Sequence, residues 1–519
     1  MGIFNSLLQK SPNKELVFLG APEAEAEALP NAQMKLLDVY EDHFNLLEEL
    51  EHEKFLVLGK KGSGKSAFAE YVVLKAKDEP NLFAKFIRQN ECNLEHIVQI
   101  GNENGHKIER EQLFTWLILT NIIELFLEKE NESSKEFTLL EQFIKKNSGY
   151  INIDESQIKQ LVEEKGFEVD VTYLKRFFTN KLKKKTSETK ERAPFFKLIP
   201  DLKDTIKILL TKKTEIENDN SYVIFFDDLD LVYNSNDEGS NESILSLIRV
   251  AKGLNKEFAE IGSNAKIIIV LRDDIYKTIS PNAADSGKVL GSYGIYINWY
   301  QDEYNINNSE QELYIRKFIN KRISIAFDEI GKSYNKDDPW ISLVEEPFKS
   351  GAESSNSSFK YVLLHTLMRP RDLLNFFQPL SKAKYSYPLD KSDINKLIKI
   401  YSEEFVTELR NELSNFYELE VINYIFKFIG EVSRKNEPNT TVTYEKAIDL
   451  IKEHGIAQDN NADKILNDLF ERSIIGKISE NNYTYFKHRE PKKDVYELSK
   501  SDKIIVHNIL KVYCDNRGF

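Results

Sequence analysis

The sequence is poor in the residues that build extracellular frameworks and transition-metal sites. Cys92 and Cys514 are the only cysteines among 519 residues, which excludes a disulfide framework and a structural zinc cluster. Its 8 histidines are scattered, and no two of them have the spacing of metal ligands. We therefore expect a reduced, cytoplasmic protein without a dedicated transition-metal site.

Long apolar runs and an excess of basic charge are missing as well. The longest apolar runs, such as "YVIFF" and "KIIIVL", have the length of strands and are far too short to cross a membrane. The N-terminal "MGIFNSLLQKSPNKE" has no basic start followed by an apolar core, so we expect no secretory signal. A net charge of -13 disfavours a protein that coats nucleic acid or anionic lipid.

A phosphate-binding loop is the clearest motif that is present. Residues 59–66, "GKKGSGKS", match G-x-x-x-x-G-K-[ST], with an apolar "KFLVL" before them and a helical "SAFAEYVVLKA" after them. The N–H groups of such a loop and the start of the following helix face the phosphates of a nucleotide. We expect Lys65 on the β- and γ-phosphates and the Ser66 hydroxyl on Mg²⁺. The predicted nucleotide-binding residues are Gly59, Lys60, Lys61, Gly62, Ser63, Gly64, Lys65, Ser66 and Ala67.

A second apolar run, in "SYVIFFDDLDLVY" at 221–233, ends in three carboxylates, Asp227, Asp228 and Asp230. Carboxylates at the C-terminal end of a buried parallel strand lie on the ligand side of the sheet. Asp227 is predicted to hold Mg²⁺ through water, and Asp228 to orient the attacking water. Many ATPases carry a glutamate at that second place, so the shorter aspartate predicts slow or partner-dependent hydrolysis.

ATP is favoured over GTP as the nucleotide. A GTPase would carry D-x-x-G and a guanine-reading N-K-x-D motif after a strand. The letters "NKDD" at 335–338 fit, but they lie in the polar segment "DEIGKSYNKDDPW" with no strand before it. The predicted ligands are therefore ATP and Mg²⁺.

The third apolar run, in "AKIIIVLRDDIY", follows an amphipathic helical pattern at 242–262. Strand, helix and strand then form one unit, which brings Arg272 to the same sheet edge as Asp227. Two roles fit Arg272. It either senses the γ-phosphate, or it forms an ion pair with Asp273, Asp274 or Asp228.

A second arginine follows in "LHTLMRPRDLLNFFQPL", residues 364–380. Pro370 near the first turn and Asp372 at the positive end predict the start of a helix there. An arginine at such a point can reach nucleotide phosphates, which is the role we expect for Arg371. The alternative is an arginine that pairs with a neighbouring helix.

In this order, "GKKGSGKS", "VIFFDDLD", "IIIVLRDD" and "RPRDLLNF" resemble the AAA+/STAND branch of P-loop ATPases. "VFLGAPEAEAE" at 17–27 resembles the "FLG…AE" segment of a group of bacterial members. The resemblance implies Walker A, Walker B, sensor-1 and sensor-2 roles for Lys65/Ser66, Asp227/Asp228, Arg272 and Arg371. It also implies an αβα core, a helical lid, often a winged helix, and oligomerisation. Several bacterial members serve in antiphage defence or as nucleotide-gated switches.

The predicted fold class is α/β: a P-loop αβα sandwich with a helical insertion, a helical lid and a C-terminal winged-helix-like domain. The predicted boundaries are 1–50 for an N-terminal segment, 51–295 for the core with an insertion at about 85–215, 296–400 for the lid and 401–519 for the last domain. The long interval between Lys65 and Asp227 requires the insertion. Short helices and a hairpin with an Asn-Asn turn predict the winged helix.

Nucleic acid is a possible partner at two places. The stretch 173–197 combines aromatics with Lys175, Arg176, Lys181, Lys183, Lys184, Lys185, Lys190, Arg192 and Lys197. It suits a single strand, a solvated helix face or an acidic partner protein, and the solvated face is the commonest case. The wing is basic (Lys487, His488, Arg489, Lys492, Lys493), but Asp463, Asp468 and Glu471 on the third helix, 462–473, argue against sequence-specific DNA reading.

Three functions follow from these observations. The first is a Mg²⁺-dependent ATPase that acts as an oligomerising conformational switch, with a homo-oligomer or another protein as partner. The second is a nucleotide-gated scaffold with little turnover. The third is a DNA-associated ATPase that uses the basic insertion, and the acidity of the chain counts against it.

Overall fold

The structure is a computed structural model. It describes residues 16–88, 98, 109–129, 135–148, 151, 168–182, 191–210, 220–229, 233, 238–280, 286–301, 310–348, 357–434, 441–455, 461–478, 484–489 and 498–518. Some residues named above lie outside these ranges: Cys92, Lys183, Lys184, Lys185, Lys190, Asp230, Lys492, Lys493 and the Asn481–Asn482 turn.

Strands and helices alternate in the first half of the described chain, and helices dominate the second. The strands are β1 (Leu56–Gly59), β2 (Leu82–Arg88), β3 (Glu168–Asp170), β4 (Arg192–Pro194), β5 (Ser221–Asp227), β6 (Ala265–Arg272), β7 (Gly294–Ile297), β8 (Thr441–Thr443), β9 (Ile475–Ile478), β10 (Thr484–Tyr485) and β11 (Lys503–Val506).

The helices up to the end of the central sheet are α1 (Ala24–Ala28), α2 (Leu36–Val39), α3 (Leu46–Glu51), α4 (Lys65–Asp78), α5 (Arg110–Lys129), α6 (Lys135–Lys146), α7 (Thr172–Leu182), α8 (Ile199–Leu210), α9 (Glu238–Glu260), α10 (Asp273–Ile279) and α11 (Ser286–Tyr293). Those that follow are α12 (Tyr314–Glu329), α13 (Trp340–Leu343), α14 (Ser358–Leu363), α15 (Pro370–Phe377), α16 (Lys391–Leu413), α17 (Leu419–Ser433), α18 (Tyr444–Glu453), α19 (Ala462–Glu471) and α20 (Asn508–Arg517). None of the described helices is long and apolar enough to cross a membrane.

The chain divides into two compact units. The parallel-sheet unit contains Phe44–Lys61 and Lys65–Ile297, and the helical unit contains Met1–His43, Gly62–Gly64 and Asn298–Phe519. The phosphate loop therefore crosses the division, because its three central residues belong to the helical unit.

The parallel-sheet unit is built on five parallel strands in the order β2-β5-β6-β1-β7. The apolar runs of the three central strands β5, β6 and β1 are buried almost throughout, as expected for a parallel sheet that is covered by helices. Helices α4, α5 and α9 pack on this sheet, and Phe68 of α4 meets Phe225 of β5 edge to face at 6.0 Å. The predicted α/β class with a parallel central sheet is confirmed.

Helices and a short antiparallel strand pair lie in the described part of the long interval between the loop and β5. The helical insertion stays a prediction. Helices α5, α6, α7 and α8 lie between β2 and β5, together with the antiparallel pair β3–β4. In the stretch 173–197, Arg176 lies over the ring of Tyr173 at 5.6 Å, and Nη2 of Arg192 donates to the carbonyl of Glu168 at 3.1 Å.

The helical unit has one continuous apolar core, which runs from Val17 to Cys514. It joins the N-terminal segment to helices α12 to α20 and to a four-stranded sheet in the order β10-β9-β11-β8. Helix α16 continues through residue 400, where the sequence analysis placed a domain boundary. The four-part division of the chain stays a prediction.

A buried histidine makes the stability of the helical unit depend on pH. His507 is fully buried, and Phe486 and His488 lie against its ring at 5.0 and 5.3 Å. Burial lowers the pKa of His507 well below its ordinary value, and the nearby Arg489 and Lys511 together with a proton on His365 would lower it further. The unfolded chain therefore binds a proton near pH 6.5 that the folded chain does not bind.

We expect the free energy of unfolding of the helical unit to fall as pH drops below about 6.5, with His507 contributing about 1.4 kcal/mol per pH unit. Nδ1 of His507 accepts from the N–H of Ile509, so His507→Asn keeps a good helix N-cap while removing the titration. Urea unfolding between about pH 5 and 7.5 should show a flatter profile for this variant. An unchanged pH profile in His507→Asn would contradict the role given to this histidine.

Candidate nucleotide-binding site

The phosphate loop has the backbone that its glycines require. β1 ends at Gly59 and α4 begins at Lys65, with Gly62 at φ 77° and Gly64 at φ 93°. Both angles lie in the left-handed region that favours glycine. A Cβ at Gly62 would lie 2.9 Å from Cβ of Arg371, so this glycine also permits a close approach. Apart from its chain neighbours, no heavy atom of the described residues lies within 4 Å of a Cβ built on Gly64.

Lys65 lies folded over the loop that precedes it. Its side chain is buried, and Nζ donates to the carbonyls of Gly59 at 2.9 Å and Lys60 at 3.0 Å. The ammonium is thus held by the concave loop through neutral oxygens. Phosphate oxygens carry negative charge and would make stronger, charge-assisted hydrogen bonds with the same donor.

Three predicted residues end adjacent strands at one edge of the parallel sheet. Gly59 and Arg272 are register partners at the ends of β1 and β6, and Asp227 ends β5 on the other side of β6. The carboxyl ends of parallel strands are where α/β sheets bind ligands. The structure therefore brings Gly59, Asp227 and Arg272 to one edge of the sheet, as the three apolar runs predicted.

The two aspartates after β5 differ in their surroundings. Asp227 is buried, and its Oδ1 accepts from the N–H of Asp228 at 2.8 Å. Asp228 is half-buried and has a left-handed backbone, with φ at 59°. This conformation costs a non-glycine residue about 1 kcal/mol, and such strain concentrates at functional sites.

Arg272 forms the ion pair that was one of its two predicted roles. Nε and Nη2 donate to the two carboxylate oxygens of Asp274 at 3.0 and 2.6 Å, and the arginine is buried. Asp274 belongs to the first turn of α10, which begins directly after β6. A role for Arg272 at the γ-phosphate stays a prediction.

The start of α15 is fixed by a buried ion pair on either side of Arg371. Arg369 is the N-cap residue, and its Nη2 contacts Oδ1 of Asp372 at 2.8 Å. Asp372 in turn accepts from the N–H groups of Leu367 and Arg369 at 3.0 and 3.2 Å. Asp372 thus accepts from both the backbone and the side chain of Arg369, which fixes the first turn, and Arg371 is the second residue of that turn.

Arg371 lies against the tip of the phosphate loop within the helical unit. Its N–H donates to the carbonyl of Gly62 at 3.4 Å, and its stem covers the same glycine. Nε donates to the carbonyl of Pro22 at 3.2 Å. The two predicted roles of Arg371, at the nucleotide phosphates or paired with a neighbouring helix, stay predictions.

The segment "VFLGAPEAEAE" is held by a buried ion pair that sequence reasoning missed. Arg322 of α12 contacts Glu27 through Nη1–Oε1 at 2.6 Å and Nη2–Oε2 at 2.8 Å. A Cβ at Gly20 would lie 1.9 Å from Nη1 of Arg322, so only glycine fits there. The N–H of Ala21 also donates to Glu27. The glycine and glutamate of this segment therefore position the Pro22 carbonyl that Arg371 meets.

Trp299 is the second residue that sequence reasoning missed. Its indole N–H donates to the carbonyl of Ser63 at 2.7 Å. It follows β7 in the stretch "INWY", and nothing in that stretch indicates a contact with a loop more than two hundred residues earlier. Only the fold of the helical unit places it there.

Comparison with known proteins gives one partial match by sequence. Residues 314–410 match the family model of the FunZ-associated C-terminal helical domain. These residues run from α12 into α16, and the match concerns this segment alone. No curated protein matches the chain.

Comparison with solved structures includes the crystal structure of Cdc6p from Pyrobaculum aerophilum. The identity is 11%, with 95% of this chain and 98% of that chain covered, at a TM-score of 0.26. A TM-score this low does not establish a shared fold.

Glu27→Gln tests the importance of the buried pair. It leaves the Arg322 guanidinium buried without a counter-charge, so we expect the helical unit to lose about 3 kcal/mol of stability. Chemical denaturation of the full chain measures the change. Glu403→Gln removes an exposed pair with Arg517 and should produce no measurable shift. An equal effect of the two variants would contradict the role given to Glu27.

Proposed function

We propose that this chain is a Mg²⁺-dependent ATPase of the AAA+/STAND-like class that acts as an oligomerising conformational switch. The observation that carries the proposal is the buried Lys65 ammonium, held over a glycine loop at the sheet edge where Asp227 ends β5. A loop, a lysine and a carboxylate in this arrangement suit a nucleotide phosphate chain.

The residues present fit the phosphates and the metal. Lys65 would exchange its two carbonyl partners for phosphate oxygens, and the loop N–H groups would supply further donors. Ser66, in the first turn of α4, and Asp227 would hold Mg²⁺ through hard oxygen donors. When bound, the metal ion neutralises charge on the phosphates.

Asp228 is the proposed water-orienting residue. Its backbone is held by the hydrogen bond from its N–H to Asp227. A carboxylate at this point can accept a proton from the attacking water. The short side chain is the reason to expect slow or partner-stimulated turnover.

The switch is proposed to begin at Gly62–Gly64. These residues belong to the helical unit, where Arg371 and Trp299 contact their carbonyls. A conformational change of these loop residues on nucleotide binding would therefore change their contacts with Arg371 and Trp299. A cytoplasmic location, a homo-oligomer and a role in bacterial antiphage defence are proposed with it, supported by the resemblance of the motifs.

One observation favours the scaffold alternative. Arg272 is engaged with Asp274, and Nε of Arg371 is engaged with Pro22. If neither arginine reaches the γ-phosphate, the chain binds nucleotide without efficient turnover. The measurement of phosphate release below separates this alternative from the ATPase.

The C-terminal elements α17, β8, α18, α19, β9 and β11 follow the order of a winged helix, and we propose that fold for them. Contacts within them disfavour DNA binding. Asp463 and Asp468 of α19 accept from the hydroxyls of Tyr444 and Tyr417, both at 2.5 Å, and Lys487 pairs with Glu471 at 3.0 Å. We propose protein–protein packing or autoinhibition as the role of this region.

Asp228→Asn should lower ATP hydrolysis by a factor of about 100 or more while leaving ATP binding intact. Asparagine tolerates the left-handed backbone of this position, so the loop should keep its shape. Phosphate release and light scattering after size exclusion would be measured without nucleotide, with ADP and with ATP·Mg²⁺. Asp273→Asn, which changes a neighbouring carboxylate at the end of β6, is the control.

Nucleotide-dependent oligomers together with phosphate release that Asp228→Asn abolishes would establish the ATPase switch. Binding without phosphate release in the unmodified chain would assign the protein to the scaffold class. Lys65→Ala should remove ATP binding in either case. Failure of the unmodified chain to bind ATP would refute both functions.

A further inference from the structure

The tip of the phosphate loop is held by two donors that lie far from it in the sequence. The Trp299 indole N–H reaches the Ser63 carbonyl at 2.7 Å, and the Arg371 backbone N–H reaches the Gly62 carbonyl at 3.4 Å. Both bonds lie within the helical unit. The bond from Trp299 is the shorter and comes from a side chain, so it can be removed by mutation.

A carbonyl that is held in place also fixes an N–H group. The peptide bond is planar and trans, so the carbonyl of one residue and the N–H of the next point in opposite directions. The Ser63 carbonyl shares its peptide plane with the N–H of Gly64. The bond from Trp299 therefore turns the Gly64 N–H away from Trp299. In the same way, the bond from Arg371 sets the direction of the Ser63 N–H.

These peptide planes need such support because the loop residues are flexible by nature. Gly62 and Gly64 both have positive φ angles, and glycine adopts many other conformations at similar free energy. A phosphate is bound by N–H groups only when they converge on it, and any ordering left to the binding step weakens affinity. A donor that fixes a peptide plane in advance reduces that cost.

Trp299 is itself held by an aromatic cluster. The ring of His43 meets it edge to face at 5.7 Å and stacks on Tyr314 at 5.5 Å, and Phe318 lies 5.6 Å from Trp299. Tyr314 and Phe318 are on α12, the helix that also carries Arg322. The indole is thus packed against the core of the helical unit.

We propose that Trp299 is a positioning residue for the phosphate chain of the nucleotide, acting through the Ser63–Gly64 peptide. It contacts no phosphate itself. Its hydrogen bond orients the Gly64 N–H. Rotation of the Ser63–Gly64 peptide plane on phosphate binding would therefore lengthen or break this bond. The inference rests on the proposed function, since it assigns a residue to the same nucleotide site.

Trp299→Phe is the test variant. Phenylalanine keeps an aromatic ring against His43 and Phe318 but has no N–H donor. We expect about tenfold weaker binding of ADP and ATP, the effect of one lost hydrogen bond, with AMP affinity unchanged because AMP has no β-phosphate. Competition against a fluorescently labelled ADP measures all three affinities. If Trp299 had a purely structural role, the substitution would weaken the binding of all three nucleotides equally.

Trp340→Phe is the matched control. Trp340 lies in the same unit, and its indole N–H donates to Oγ of Ser358 at 3.0 Å, so this variant also loses a buried indole hydrogen bond. It should bind ADP, ATP and AMP like the unmodified chain. Circular dichroism and urea unfolding would verify that both variants are folded.

Tryptophan fluorescence gives a second readout that does not depend on a change in nucleotide affinity. The chain has 3 tryptophans, of which Trp116 and Trp340 are 1% and 0% exposed, while Trp299 is only half-buried. Addition of ADP to Trp340→Phe should change the emission, whereas Trp299→Phe should show no change.

The possible outcomes separate the inference from the function on which it rests. Selective loss of ADP and ATP affinity in Trp299→Phe, together with the loss of the fluorescence response, supports the inference. Equal ADP to AMP ratios in Trp299→Phe and the unmodified chain, when the latter binds ATP, overturn it. If the unmodified chain binds no nucleotide, the proposed function itself fails.

Discussion

Backbone N–H groups can hold a phosphate only when they converge on it, and a loop with two glycines does not impose this by itself. Here the planes at Gly62 and Ser63 are set by a backbone N–H at the start of α15 and by the Trp299 indole. Arg371 can donate because the Arg369–Asp372 cap fixes the first turn of α15. The central residues of the phosphate loop, Gly62–Gly64, are therefore held by contacts within the helical unit.

Further contacts connect Arg371 to a buried ion pair in the N-terminal segment. Nε of Arg371 contacts Pro22, whose position depends on Gly20 and on the Glu27–Arg322 pair. Breaking such a pair leaves an uncompensated charge in the core. The intact pair therefore strongly favours one arrangement of the N-terminal segment. The segment 17–27 thus belongs to the support of the loop, although it lies well before the loop in the sequence.

Much of the parallel-sheet unit could be predicted, because its signals are local. An uninterrupted apolar run ending in charge indicates a buried parallel strand, and three such runs gave β1, β5 and β6 with Gly59, Asp227 and Arg272 at one edge. The sequence left open which carboxylate Arg272 contacts. The turn into α10 brings Asp274 within reach, and the side chain pairs with it.

The sequence by itself determined the phosphate loop, its strand and helix, and the acidic strand end, since each depends on residues that are neighbours in the chain. Only the tertiary structure decided what surrounds Gly62 and Ser63. The spacing of Trp299, Arg371 and Pro22 along the chain carries no periodic pattern, because their meeting depends on how the helical unit folds around its own core. Contacts between distant segments depend on packing and on buried ion pairs, and neither produces a recognisable pattern in the local sequence.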